Sequence, residues 1–274
     1  MITGVSSGIG KALTAHYVSR GERVIGIARN PGLLEALNNS LEIPDGAPAP
    51  EFITCDFASF ASMRDARDRL KVACADGLDT LINNAAIVPH KKILTEDGFE
   101  LQYQVNHLAV AYFSLELLDE LTKAEGTVIT TGSNAHKWAR FHPRDIAIET
   151  RYHALSAYMR TKLYNLLFAA SCRRHFSHLP IAHYVVHPGR VKTAIGTKGV
   201  SRFYGWVWRR FTRHGLTPEA TIPTFDYLTY ATPGPGGLYF FNVEEHPSSK
   251  AARSKENQDI LFERTLFDLA PYRA

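Results

Sequence analysis

Short apolar runs alternate with longer amphipathic segments along most of the chain. Apolar runs bounded by glycine, proline or polar clusters predict buried strands, and segments with apolar residues every three or four positions predict helices. The predicted strands are a short one ending at Thr3 and residues 23–28, 51–55, 79–83, 127–131 and 181–186. The predicted helices are residues 9–20, 31–39, 59–75, 97–123 and 155–176, with a helical tail over 248–274.

Strands that alternate with helices form βαβ units, and such units build a parallel sheet covered by helices on both faces. We therefore expect an α/β fold, a Rossmann-type doubly wound parallel sheet in three α/β/α layers. The 274 residues, of which 45% are hydrophobic, suit one domain over 1–274. Three loops should shape a substrate pocket: residues 87–95, 134–151 and 194–218, the last as a lid.

Polar residues with site-like chemistry follow each of the six predicted strands. Ligands bind beyond the carboxyl ends of the strands in open α/β sheets, so these residues should meet at one edge. In chain order they are Thr3–Gly10, Arg29, Asp56, Asn83–Ala85, Ser133 and Pro188–Gly189.

The segment Thr3–Gly10 reads Thr-Gly-Val-Ser-Ser-Gly-Ile-Gly and joins the first strand to the first helix. Glycine permits positive φ and lets a ligand approach the backbone closely, and a helix N-terminus stabilises a phosphate. An ordinary strand-to-helix turn is the alternative interpretation.

The end of the second strand indicates which dinucleotide would bind. An acidic residue about 20 positions beyond the glycines favours NAD, whereas a basic residue accommodates the 2′-phosphate of NADP. Here the strand is followed by Arg29, and no acidic residue lies between Glu22 and Glu35. Because a guanidinium group can pair with that phosphate, we predict NADP(H), with a solvated surface arginine as the alternative.

Tyr158 and Lys162 lie four residues apart in a predicted helix and therefore share one face. A phenol with a pKa of about 10 transfers protons poorly at neutral pH, and a nearby ammonium group lowers that pKa. The two residues form a candidate general acid/base pair, although the same spacing is common on helix surfaces.

Composition narrows the partners and the compartment. A net charge of +4 does not favour nucleic acid, and the scattered His136, His142, His153 and His187 do not form a metal-ligand set. Three cysteines in no metal-site spacing indicate a reduced, cytoplasmic protein. No apolar run approaches the roughly 18 residues of a membrane span, and a glycine turn that starts at Thr3 leaves no room for a signal peptide.

Seven motifs occur in one order along the chain. They are Thr3-Gly4-x-x-x-Gly8-x-Gly10, Asp56, Asn83-Asn84-Ala85-Ala86, Asn106, Ser133, Tyr158-x-x-x-Lys162 and Pro188-Gly189-x-Val191-x-Thr193. Together they resemble the single-domain short-chain dehydrogenase/reductases, from Met1 to about residue 242. Residues 96–107, Ala135–His136 and 161–189 are similar more narrowly to the retinol-dehydrogenase-like branch.

The resemblance implies a role for each catalytic residue. Tyr158 would exchange a proton with the substrate oxygen, and Ser133 would hydrogen-bond that oxygen. Lys162 would lower the tyrosine pKa and bind the nicotinamide ribose, and Asn106 would hold a water molecule in a proton relay. The full set predicted to contact the cofactor is Gly4, Ser6, Ser7, Gly8, Ile9, Gly10, Arg29, Asp56, Phe57, Asn84, Ala85, Tyr158, Lys162, Pro188, Gly189, Val191 and Thr193.

The chain departs from the family pattern most clearly at its start. Only Met1 and Ile2 precede Thr3, where the family has several strand residues. We expect either a weakly held central strand or a native start upstream. Ala86 in place of glycine and Gly132 in place of a first serine should cost little.

The segment Phe203–Phe211 would place aromatic residues on one side of a helix and arginines on the other. An aromatic lid over an apolar substrate, attachment to an anionic membrane surface, and a helix packed on the body are the three interpretations.

We predict an NADP(H)-dependent oxidoreductase that interconverts an alcohol and an aldehyde or ketone on an apolar substrate, with assembly into an oligomer left open. The alternatives are a non-catalytic NADP-binding sensor or scaffold protein on the same fold, and a C=C reductase.

Overall fold

The computed structural model describes residues 1–150, 152–192, 215–231 and 236–273, and the structural statements below concern these residues. The predicted lid, apart from its last residues 215–218, lies outside them, as do Phe203–Phe211 and Thr193.

One sheet of eight strands forms the centre of the described chain, in the order β3-β2-β1-β4-β5-β6-β7-β8. All neighbouring strands are parallel except β7 and β8. This order is that of a doubly wound dinucleotide-binding sheet, so the predicted fold class is confirmed. The strands are β1 (Ile2–Thr3), β2 (Ile25–Ala28), β3 (Glu51–Thr54), β4 (Thr80–Asn83), β5 (Thr127–Thr131), β6 (Ala182–Val186), β7 (Tyr239–Phe241) and β8 (Glu244–Glu245).

Helices cover both faces of the sheet. The α-helices are α1 (Gly8–Ser19), α2 (Pro31–Asn38), α3 (Phe60–Ala73), α4 (Leu101–Tyr103), α5 (Ala109–Glu116), α6 (Leu118–Lys123), α7 (Ala154–His175), α8 (Ile222–Tyr230), α9 (Lys250–Arg253) and α10 (Lys255–Leu269). One apolar core lies between the sheet and α1, α2 and α8, and a larger one lies between the sheet and α3, α5, α7 and α10. Because helices cover both faces, every residue of the central strands β1, β2 and β5 is buried.

The continuous helix predicted over 97–123 is wrong. The chain forms α4, a π-helix over Gln104–Leu108, α5 and α6 instead. Glu100 sets the start of α4, since its carboxylate accepts a hydrogen bond from Tyr103 N at 2.9 Å. A π-helix adds a residue to one turn and is common at functional sites. Every residue of the π-helix is buried. The pattern of apolar positions therefore shows no break there, and periodicity alone predicted one uninterrupted helix.

Strand β1 has only two residues, yet it lies in the centre of the sheet between β2 and β4. The hydroxyl of Thr3 adds to the contacts between β1 and the segment after β4. It accepts hydrogen bonds from Asn84 N at 2.9 Å and Ala85 N at 3.0 Å. Thr3 is buried, so these two amides depend on this hydroxyl. The short strand is therefore held by a side chain as well as by its ladder.

We predict that Thr3→Val lowers the free energy of unfolding by about 2 kcal/mol, since it leaves two partly buried amides without this acceptor. Urea unfolding measures the change. Thr14→Val is the matched control: the buried Thr14 hydroxyl donates to Gly10 O inside α1, so its loss should cost about 1 kcal/mol. Equal losses in the two variants would contradict this account of β1.

Candidate active site

The glycine turn between β1 and α1 has the geometry of an anion cradle. Gly4 and Gly8 have φ angles of +76° and +57°, and a Cβ on Gly10 would lie 2.4 Å from Gly4 O. Helix α1 begins at Gly8, its N-cap Ser7 makes no side-chain capping hydrogen bond, and its first turn holds no acidic residue. The first N–H groups of α1 are therefore oriented to stabilise a phosphate. The other predicted contact residues of this turn are Ser6, partly buried, and Ile9, buried.

The next two strands bring a cation and a carboxylate to the same edge. Arg29 directly follows β2 and is exposed, whereas the neighbouring Asn30 is used to cap α2. Asp56 follows β3, and one of its carboxylate oxygens accepts a hydrogen bond from Ala58 N at 3.0 Å. Phe57 is buried beside it and lines a small cleft together with Ala85. This edge thus offers a guanidinium group at one point and a partly apolar cleft at another.

A row of hydrogen bonds links the glycine turn to the helix that carries the Tyr-x-x-x-Lys motif. Asn84 Nδ2 donates to Thr3 O at 3.0 Å, and Thr131 Oγ1 donates to Asn84 Oδ1 at 3.4 Å. Lys162 Nζ then donates to Thr131 O at 2.7 Å. The row crosses the ends of β1, β4 and β5 and fixes the position of the Lys162 ammonium group relative to the turn.

Tyr158 and Lys162 share one face of α7, as predicted, with Lys162 Nζ 5.7 Å from the centre of the Tyr158 ring. The Ser133 hydroxyl lies beside the Tyr158 phenol. Burial raises the pKa of Tyr158 above its ordinary value, and the hydrogen bond with Ser133 opposes that rise. Burial also lowers the pKa of Lys162 to about 8.

The sequence predicts that Lys162 lowers the pKa of Tyr158, and the structure differs. Burial favours the uncharged form of both groups, and the ammonium group is directed at Thr131 O instead of the phenolic oxygen. The phenol is therefore protonated at neutral pH in this structure.

Asn106 lies in the π-helix and ties it to the loop after β4. Its Oδ1 accepts a hydrogen bond from Ile87 N at 2.8 Å, and its Nδ2 donates to Ile87 O at 2.9 Å. Nδ2 also faces Thr161 Oγ1 on α7, at 3.4 Å. The buried amide of Asn106 thus joins the loop after β4 to α7.

Ser133 ends β5 and caps the 3-10 helix Asn134–Trp138, because its Oγ accepts a hydrogen bond from Ala135 N at 3.1 Å. His136 Nδ1 donates to Ser133 O at 2.6 Å, and its Nε2 accepts from Ser249 N at 3.1 Å. These partners fit a neutral imidazole, and burial lowers its pKa. His136 is therefore a buried structural residue that holds Ser133 to the C-terminal segment.

The loop after β6 completes the edge. Gly189 has a φ of +81°, and its N–H donates to His187 Nδ1 at 3.3 Å. Pro188 is partly buried, and Val191 is buried where it pairs with Leu216. Pro188, Gly189 and Val191 thus lie at the predicted nicotinamide end.

Two partners of the predicted residues have no signal in the sequence. Thr131 meets Lys162 through its carbonyl oxygen, and Ile87 meets Asn106 through both of its backbone polar groups. Any residue type supplies such atoms, so only the fold identifies them.

The described residues contain no cluster of three or more His, Cys, Asp or Glu side chains that could hold a metal ion. Cys55, Cys74 and Cys172 are free, buried thiols. Among the described helices none is long and apolar enough to cross a membrane.

A doubly wound sheet with a glycine turn at its first crossover defines the dinucleotide-binding class of α/β proteins. A family model described as "short chain dehydrogenase" matches residues 1–202. Since this match covers well over half of the chain, the protein belongs to the short-chain dehydrogenase family and is an oxidoreductase of that family.

Individual relatives agree with this assignment. The chain is 34% identical over 205 residues to a Streptomyces sp. (strain C5) protein provisionally named daunorubicin C-13 ketoreductase DnrU, covering 74% of this chain and 69% of that one. It is 32% identical over 242 residues to retinol dehydrogenase 14 of Mus musculus, covering 84% and 67%. The fold is similar to a short-chain dehydrogenase from Sphingobium yanoikuyae in complex with NADPH, with a TM-score of 0.65 and 21% identity, covering 88% and 85%. The resemblance to the retinol-dehydrogenase-like branch is confirmed.

The lowered pKa of Lys162 predicts how stability depends on pH. Between the folded value of about 8 and the ordinary value of 10.5, the unfolded chain binds more protons. Lys162 should therefore add a rise of about 3 kcal/mol to the free energy of unfolding across this window, while the buried thiols of Cys55 and Cys172, whose pKa values burial raises, contribute a fall. Lys162→Met should remove that rise.

Urea unfolding at a series of pH values measures both profiles, and Lys71→Met, on the exposed face of α3, is the control. The buried amino group of Met1, whose pKa burial lowers to about 6, titrates below this window. Parallel wild-type and Lys162→Met profiles would show that Lys162 titrates normally.

Proposed function

We propose that this protein is an NADP(H)-dependent oxidoreductase that interconverts an alcohol and an aldehyde or ketone, with Tyr158 as the general acid/base. The observation that carries the proposal is the convergence of Tyr158, Ser133 and Lys162 at the sheet edge that the glycine turn also faces. These groups can hold a carbonyl oxygen and transfer a proton to it.

The residues at this edge fit a dinucleotide. The N–H groups at the start of α1 would hold the pyrophosphate, and Asp56 and Phe57 would lie at the adenine. Asn84 and Ala85 would line the path between the two ends. Pro188, Gly189, Val191 and Thr193 would hold the nicotinamide, which supplies or accepts the hydride when it is bound.

NADP(H) in preference to NAD(H) rests on Arg29. Its guanidinium group is exposed at the end of β2, where a 2′-phosphate would lie, and the α2 N-terminus beside it holds no acidic residue. Similar solved structures are complexed with NADPH in one case and with NADH in another, so the fold alone does not indicate which cofactor binds.

The protonation state of Tyr158 suits carbonyl reduction. Tyr158 carries a proton at neutral pH and can donate it to the oxygen as charge develops there. Burial raises its pKa and weakens it as an acid, whereas the hydrogen bond with Ser133 opposes that rise. The Ser133 hydroxyl, beside the phenol, would hydrogen-bond the same oxygen and stabilise that charge. In the oxidative direction Tyr158 would accept the proton instead.

Lys162 and Asn106 complete the proposed site. Lys162 would bind the nicotinamide ribose and, through a water molecule held near Asn106, connect Tyr158 to solvent. The hydrogen bond from Lys162 Nζ to Thr131 O holds the ammonium group at the end of β5, where it would take this role.

The substrate class is proposed from the relatives. The names of two relatives refer to retinol, an apolar alcohol, and to reduction of a ketone at C-13 of daunorubicin. A similar apolar carbonyl compound or alcohol is therefore the substrate class that we propose for this chain.

We predict that Tyr158→Phe lowers the rate of NADPH oxidation with decanal or all-trans-retinal by at least about a hundredfold, since the proton donor is lost. The dissociation constant for NADPH should stay within about twofold of the wild-type value. Tyr227→Phe on α8 is the control and should keep full activity. Undiminished turnover in Tyr158→Phe would rule out the assigned role.

Arg29→Asp should shift cofactor preference toward NAD by at least about tenfold, because a carboxylate repels the 2′-phosphate and can accept from ribose hydroxyls. Fluorescence titration with NADPH and NADH gives the two dissociation constants. Arg69→Asp, an equal charge change at an exposed position of α3, should leave their ratio unchanged. An unchanged ratio in Arg29→Asp would leave the selectivity to another residue.

A further inference from the structure

The connection from the 3-10 helix to α7, residues 139–153, joins the segment after Ser133 to the helix that carries Tyr158. Most of its polar residues are exposed, but Ile146, Ala147 and Ile148 are 1–3% exposed and pack into the larger core. We call the described residues of this connection, 139–150 and 152–153, the substrate-side loop. The middle of this loop packs against the larger core, although it forms no helix or strand.

Arg160 contacts this loop from α7. It lies two residues after Tyr158, about 200° around the helix, and therefore on the side opposite the reactive phenol. Its side chain is 7% exposed, and Nη1 donates to Asp145 Oδ2 at 2.9 Å. Nη2 donates to Asp145 O, and Nε donates to Tyr164 OH at 3.1 Å.

Asp145 in turn organises the loop. Its second carboxylate oxygen accepts hydrogen bonds from Glu149 N at 2.8 Å and Thr150 N at 3.1 Å. Its carbonyl oxygen also accepts from Ile148 N at 3.2 Å. Arg160 thus contacts Asp145, and Asp145 in turn accepts the hydrogen bonds of the turn.

The turn holds a strained residue. Ile148 has a φ of +59°, a conformation that a β-branched side chain rarely adopts. Such a conformation persists only when its surroundings fix it. Here the surroundings are the buried apolar side chains and the three hydrogen bonds that Asp145 accepts from the turn.

Three other hydrogen bonds that involve side chains hold the described part of the loop, and none of them pairs two charges. Gln102 Nε2 donates to Tyr152 OH at 2.9 Å. Lys92 Nζ donates to Glu149 O at 2.7 Å from an exposed position, and Tyr152 OH donates to Pro89 O at 2.6 Å. The contact between Arg160 and Asp145, in contrast, is a largely buried ion pair. Removing either partner would leave the other charge buried without compensation, which is costly.

We propose that Arg160 and Asp145 are positioning residues: they hold the substrate-side loop, which runs from the segment after Ser133 to the start of the helix that carries Tyr158, and thereby set how a substrate reaches Tyr158. The statement about the substrate rests on the proposed function, whereas the statement about the loop does not. The pair acts through the loop and touches no reacting atom.

Limited trypsin digestion tests the hold on the loop without any assay of activity. Arg140 is exposed in the loop, and the fraction of open loop governs cleavage of the Arg140–Phe141 bond when opening is fast. Arg160→Met and Asp145→Asn should each accelerate this cleavage by at least about tenfold relative to cleavage after Arg253.

The matched control is Arg67→Met, which removes another largely buried arginine from an ion pair, the one with Glu116. It should leave the relative rate at Arg140 unchanged. Arg160→Lys keeps the charge and should lie between the wild type and Arg160→Met. If Arg160→Met does not fold, Asp145→Asn, which keeps the side-chain size, provides the same test.

Kinetics test the consequence for the substrate. In Asp145→Asn the KM for decanal should rise at least about fivefold, with kcat and the NADPH dissociation constant within about twofold of wild type. The double variant Arg160→Met with Asp145→Asn should add little to the change in the single variants, because the two residues act as one unit.

The proposal is overturned if cleavage after Arg140 accelerates no more than in Arg67→Met, or if cleavage after Arg253 accelerates equally. It is also overturned if kcat and NADPH affinity fall together while KM stays constant. A wild-type protein that oxidises no NADPH with any carbonyl compound would contradict the proposed function, and the digestion result would still decide the role of the pair in the loop.

Discussion

The hydrogen bonds across the carboxyl ends of β1, β4 and β5 are the constraint on which the site depends. Thr3, Asn84 and Thr131 each contribute a main-chain group or a short side chain, and Lys162 is the last member of the row. The parallel register of the strands fixes the spacing of these atoms, so the sheet itself sets the distance from the glycine turn to α7. The glycine turn and the helix that carries Tyr158 and Lys162 thereby share one edge, although about 150 residues separate them in the chain.

Burial then determines the chemistry of that edge. Tyr158 and Lys162 both have pKa values displaced toward their neutral forms, and no carboxylate contributes to the displacement of either. The protonated phenol can donate a proton. The hydrogen bond from Lys162 Nζ to Thr131 O fixes the direction of the ammonium group. The same apolar surroundings that stabilise the fold therefore also shift the titration of the two groups to which we assign proton transfer.

The parts of the fold with a local cause were predictable from the sequence. β2 to β6 follow from apolar runs, and the face shared by Tyr158 and Lys162 follows from their spacing of four. The π-helix around Asn106 was not predictable, because the contacts of its residues, such as those of Asn106 with the backbone of Ile87, come from another part of the chain. Arg160 gave no signal for the same reason: its partner Asp145 precedes it by 15 residues in a segment without periodicity. The raised pKa of Tyr158 also needed the structure, since burial outweighs the charge that the motif implies.

The central claim is that this edge transfers a hydride to a carbonyl carbon while Tyr158 supplies the proton. Incubation of the protein with NADPH deuterated at C4 and an apolar aldehyde or ketone, followed by mass spectrometry of the product, tests it directly. The account predicts an alcohol with one deuterium on the former carbonyl carbon. A product labelled at a carbon–carbon bond, or no labelled product with any carbonyl compound, would contradict it.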